Sequence, residues 1–104
     1  MIDYYDKVGN SITMEEWSNR FPDRAYRRVA ETTLPDGTWV STVWLGLNHQ
    51  FGDGPPLIFE TMAFSTRENL NELDCQRYST LADAEAGHTA MVCKWAVERK
   101  ELAP

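Results

Sequence analysis

Thr38-Trp39-Val40-Ser41-Thr42-Val43-Trp44-Leu45-Gly46-Leu47 decides the fold. β-Branched and aromatic side chains fill this stretch, and such residues fit a pleated, packed surface. The pattern predicts a strand over 38–47. Side chains alternate along a strand, so Trp39, Val43, Leu45 and Leu47 fall on one face and Val40 and Trp44 on the other. Leu57 to Phe64 repeats the chemistry, with Leu57 and Phe59 on one side and Ile58, Met62 and Phe64 on the other. Both faces of the sheet are therefore apolar. Two coverings satisfy the second face: a short helix carrying Trp17 and Phe21, or another protein.

Upstream, Tyr26 to Leu34 reads as a strand entering Pro35-Asp36-Gly37. Pro fixes one turn dihedral and Gly supplies the left-handed one, so a hairpin is expected there. Downstream, Asn48 to Pro56 holds two glycines and two prolines and cannot continue a strand. A polar loop from Ser65 to Asn71 leads to a further strand over Asp74 to Ser79.

Helices flank the strands. Thr13-Met14-Glu15-Glu16 has the form of a capping box, with Ile12 and Trp17 placed as a hydrophobic staple. Met14, Trp17 and Phe21 share a stripe, and Pro22 marks the stop. Asp3 to Asp6 and Ile12 form the arms of a small hairpin around Val8-Gly9-Asn10. At the other end Thr80 caps a helix from about residue 81 to 98. Acidic residues load its start and basic residues its end, as the helix dipole favours. Leu81, Ala84, His88, Met91, Val92 and Trp95 make its inner stripe, with Asp83, Gly87, Lys94 and Glu98 opposite. The expected fold is one α+β domain over 1–104: an antiparallel sheet of three to four strands, one long C-terminal helix packed on it, and a short N-terminal helix.

Composition bounds the function. The chain has 104 residues, 42% apolar and 25% charged, with 10 basic against 16 acidic residues for a net charge of −6. These proportions belong to a globular chain. The charge argues against phosphate backbones and anionic membranes, so neither nucleic acid nor a membrane is expected as a partner. A basic protein partner is compatible with it. No apolar run reaches the ~18 residues of a spanning helix. Met1-Ile2-Asp3-Tyr4 does not open a secretory signal, and Cys75 and Cys93 fit no metal spacing, so a cytoplasmic protein with reduced thiols is expected.

Chemistry-bearing residues are sparse. The loop from 48 to 56 offers His49 and Asp53, which can share a proton, and Phe51 as an apolar contact. Two ligands do not make a metal site, and no HExxH, DxDxDG or Cys/His pair supplies the rest, so no metal and no cofactor is expected. The plainer account of the loop is a stiff Gly/Pro turn. His88 lies mid-stripe on the last helix, where a histidine bonded to neighbouring groups is the ordinary case. Glu60 sits among Ile58, Phe59, Met62 and Phe64; pairing with Arg27 or Arg28 is the simplest account, and an inward-facing carboxyl would be a general acid or base. No GxSxG and no glycine-rich phosphate loop is present.

The 23 residues from Val40 to Met62, with Asp74-Cys75-Gln76-Arg77-Tyr78-Ser79-Thr80 and Ala86-Gly87-His88, resemble a group of small uncharacterised proteins encoded by actinobacterial phages, prophages and their hosts. The resemblance covers most of the chain and brings no catalytic residue with it. The group usually has Asp where this chain has Asn48, which weakens a metal reading of the loop further. The resemblance implies a phage setting and an accessory role by binding. The expected function is thus protein–protein binding without catalysis, to a host or phage protein or as a homodimer. Its binding residues would be His49, Phe51 and Asp53 of the loop with Trp39 and Trp44 of the sheet. The alternatives are an enzyme or ligand-binding protein with His49, Glu60 and His88 around one pocket, and a minor virion component.

Overall fold

Four antiparallel strands in chain order form the main sheet, joined as a meander of successive neighbours. The computed structural model describes residues 3–48 and 52–102, and side chains as far as 97. The elements run β1 (Tyr4–Tyr5), β2 (Ser11–Ile12), α1 (Met14–Arg20), α2 (Arg24–Arg27), β3 (Arg28–Thr33), β4 (Trp39–Trp44), β5 (Phe59–Phe64), β6 (Glu72–Tyr78) and α3 (Leu81–Leu102). The architecture is α+β, with α3 packed on one face of the β3-β4-β5-β6 sheet and β1-β2 as a separate hairpin.

Local chemistry accounts for each boundary. The Thr13 hydroxyl accepts the Glu16 amide and the Glu16 carboxylate accepts the Thr13 amide, both at 3.1 Å. This is the reciprocal capping box expected, and α1 ends before Pro22. Asp6 Oδ1 takes the amides of Val8 and Asn10, closing the β1-β2 turn over Gly9 at φ 91°. At the β3-β4 turn Gly37 takes φ 95°, and Asp36 accepts the Thr38 amide. Thr80 accepts the Asp83 amide at the start of α3.

Cross-strand register sorts the sheet into two faces. On one lie Ala30, Thr42, Thr61 and the row Val40, Ala63, Asp74, ending in Trp44, Phe59 and Tyr78. Here α3 docks: Ala84, His88 and Met91 are buried, with Leu81, Val92 and Trp95 packed beside them. Trp17 of α1 and Phe21 at its C-cap join Tyr5, Ile12 and Tyr26 against Trp44 on this same face. The Trp17 indole donates to the Leu45 carbonyl at 2.9 Å, and the Trp44 indole to the Tyr5 carbonyl at 3.0 Å. The short N-terminal helix therefore does not cross to the other side.

Several expectations change. β4 stops at Trp44, because the Leu45 and Gly46 amides both donate to the Ile58 carbonyl and bend the chain out of register. Leu45 and Leu47 thus leave the alternation, and Ile58, just before β5, turns into the core beside Trp44. Tyr26 lies in α2, which Asp23 caps, and not in a strand. Met14 is 62% exposed and does not join the half-buried Trp17 and Phe21. Gly87 packs under Tyr78: a Cβ there would run into the ring. Among the described residues no helix is long and apolar enough to cross a membrane.

Candidate functional site: the uncovered sheet face

The opposite face presents three rows. They are Thr33-Trp39-Phe64-Glu72, Glu31-Ser41-Met62-Cys75 and Arg28-Val43-Glu60-Arg77. Trp39, Val43, Met62 and Phe64 are half-buried by their neighbours alone. Trp39 stacks on Phe64 with centroids 5.4 Å apart. Charges border this apolar centre. Glu31 pairs with Arg28 at 3.3 Å and Arg67 at 3.2 Å on the β3 side, and Glu60 pairs with Arg77 at 3.0 Å on the β6 side.

At the β3 side the face deepens into a groove of about 340 Å³ between the sheet and α2. Trp39, Ser41 and Val43 line it from the sheet, and Arg24, Arg27, Arg28 and Arg67 from around it, with Glu31 as its one carboxylate. The α2 turn produces this by dividing its side chains: Tyr26 goes edge-on to Trp44, while Arg24 and Arg27 face the groove. Arg67 lies over the Trp39 ring at 5.2 Å. To Arg24, Arg27 and Arg28, which are close in sequence, the fold adds Arg67 from a distant loop.

Of the expected binding residues, Trp39 stands on the open face. Trp44 is fully buried against α1, α2 and α3, so it is a core residue and not a contact for a partner. Asp53 is exposed in the bend over 52–55. His49 and Phe51 lie outside the described residues. The base of their loop is closed by Asn48, whose side-chain oxygen accepts the Leu57 amide at 3.3 Å. A carboxylate could accept the same bond.

Glu60 and His88 do not converge. Glu60 is beside Arg77 on the open face, and the pairing with Arg27 or Arg28 does not form because β5 has β4 and β6 as neighbours, not β3. His88 is on the covered side, its Nε2 2.9 Å from Thr32 Oγ1 and its Nδ1 2.7 Å from Thr42 Oγ1. Thr42 in turn shares a hydrogen bond with Thr61 at 2.5 Å. Burial holds the imidazole below its ordinary pKa of 6.5. A neutral ring donates from one nitrogen and accepts at the other, and rotatable hydroxyls satisfy either tautomer. This is a structural clasp between α3 and the sheet.

Cys75 donates to Glu60 Oε2 at 3.6 Å. Burial and the adjacent carboxylate push its thiol up to about 11, which leaves little thiolate at neutral pH and no activated nucleophile. Asp74 accepts Lys94 Nζ at 2.6 Å and the Trp95 indole at 3.1 Å, and Lys94 holds its carboxyl below the usual range. It fastens α3 to β6. His88 and Asp74 are thus both engaged in fastening α3 to the sheet, while the buried Thr38 Oγ1 has no hydrogen-bond partner among the described residues. No protein-family model, curated protein or solved structure matches the chain.

Proposed function

We propose that the chain is a small accessory protein of the phage or prophage type that acts by binding another protein through the face opposite α3. One observation carries this reading: α1 and α3 pack on the same side, and Trp39, Val43, Met62 and Phe64 stand together on the side neither helix covers. These four side chains are half-buried by one another, and their remaining surface offers a partner one contiguous apolar area. The occupant is a host or phage protein, or a second copy of the chain. The phage setting rests on the sequence resemblance. Two free cysteines accord with the cytoplasm of the host cell.

Light scattering at micromolar concentration, with affinity capture from an actinobacterial lysate, tests the reading on the wild-type protein and Met62→Lys. The wild type should be dimeric or retain a protein, and Met62→Lys should lose that association with its circular dichroism unchanged. A wild-type monomer that retains nothing, or association equally strong in Met62→Lys, would overturn it.

A further inference from the structure

We infer that the groove between α2 and the sheet receives an acidic segment of the partner, with carboxylates flanking a large apolar side chain. This deepens the protein-binding reading and rests on it. Four guanidinium groups face one carboxylate here, in a chain whose net charge is −6. Glu31 is already shared between Arg28 and Arg67. Arg24 and Arg27 make no ion pair with a carboxylate among the described residues. The Arg27 guanidinium rests over the Phe21 ring at 4.9 Å, so its charge is held in place without a carboxylate. Guanidinium groups match carboxylates two bonds at a time.

The apolar half of the ligand follows from the other lining. Trp39 and Val43 offer ring and methyl surface, and Leu70, 61% exposed, stands at the rim. An extended polyanion fits less well, because phosphates on either side of the groove would meet a chain with 16 acidic residues. A short acidic segment confines its charge to the groove. The overall charge would suggest a basic partner; this local excess of arginine selects the opposite sign.

The test is selection of random dodecapeptides on the full wild-type chain, with binding of the enriched peptides then measured on three proteins. Enriched sequences should carry Asp or Glu around Trp, Phe, Leu or Met. Binding should weaken about tenfold or more in the double variant Arg24→Gln/Arg27→Gln, as expected for lost charge-assisted bonds. It should also weaken in roughly 0.5 M salt, where exposed charges are screened. Arg24→Gln alone, at an exposed first position of α2, serves as the milder variant should the pair unfold. Neutral or basic peptides that the double variant holds equally well, and that Met62→Lys loses, would overturn the acidic assignment while leaving the docking face intact. No enrichment above that on Met62→Lys would overturn both. An oligothymidylate held more tightly than the peptides would overturn the assignment in favour of nucleic acid.

Discussion

Trp39 and Trp44 stand five residues apart on β4 and on opposite faces of one sheet: Trp44 is sealed by three helices, and Trp39 stacks on Phe64 beneath Arg67. The two indoles therefore separate stability from binding. Trp44→Ala should cost about 3–5 kcal/mol, as loss of a buried aromatic does. Trp39→Ala should cost about 1–2 kcal/mol, for partial burial and one aromatic pair. Denaturant titration checks both. Equal costs would mean that the open face is as firmly packed as the core.

His88 makes stability depend on pH in a defined direction. Burial lowers its folded pKa below 6.5, so an unfolded chain takes up a proton at higher pH than the folded one. The contribution of the neutral ring is complete above about pH 6.5 and declines as pH falls below it. The denaturant midpoint of the wild type should drop more than that of His88→Gln between about pH 7 and pH 5. Parallel curves would show that the Thr32-His88-Thr42 clasp does not govern this window.

The capping box gives a smaller and local test. Thr13→Ala leaves the Glu16 amide without its acceptor and should destabilise by about 1 kcal/mol. An unchanged midpoint would mean that α1 draws its stability from Trp17 and Phe21 alone.

Gly87 tests the α3–β6 contact. Alanine favours a helix by about 1 kcal/mol over glycine, but its methyl would collide with the Tyr78 ring. Overpacking costs about 1–3 kcal/mol, so Gly87→Ala should be destabilising despite its better helix propensity. A stabilised variant would show that Tyr78 moves aside freely.

Much of this architecture is legible in the residues. Thr13 with Glu16, Pro35-Asp36-Gly37 and the stripe from Leu81 to Trp95 each follow from local chemistry, and each stands where that chemistry puts it. The α2 turn is not legible, because four residues are too few to show a helical period and Asp23 hides behind Pro22. Gly87 falls on the polar side of an ideal helical wheel; only the tertiary position of Tyr78 makes it a contact. The candidate site was half legible. Alternation separates Trp39 from Trp44, but which face the Trp17 helix covers depends on the bend at Leu45 and Gly46. The arginine groove was not legible, since Arg67 joins Arg24 to Arg28 only through the β3-β4-β5 register.

A photoreactive p-benzoylphenylalanine placed at Ser41, between Glu31 and Met62 at the middle of the open face, tests the docking surface most directly. The same group at Glu85, exposed on α3, reports the covered side. Irradiation in cells of an actinobacterial host should yield a covalent protein adduct from position 41 and none from position 85. An adduct from position 85 alone, or from neither position, would contradict the assignment of this face as the binding surface.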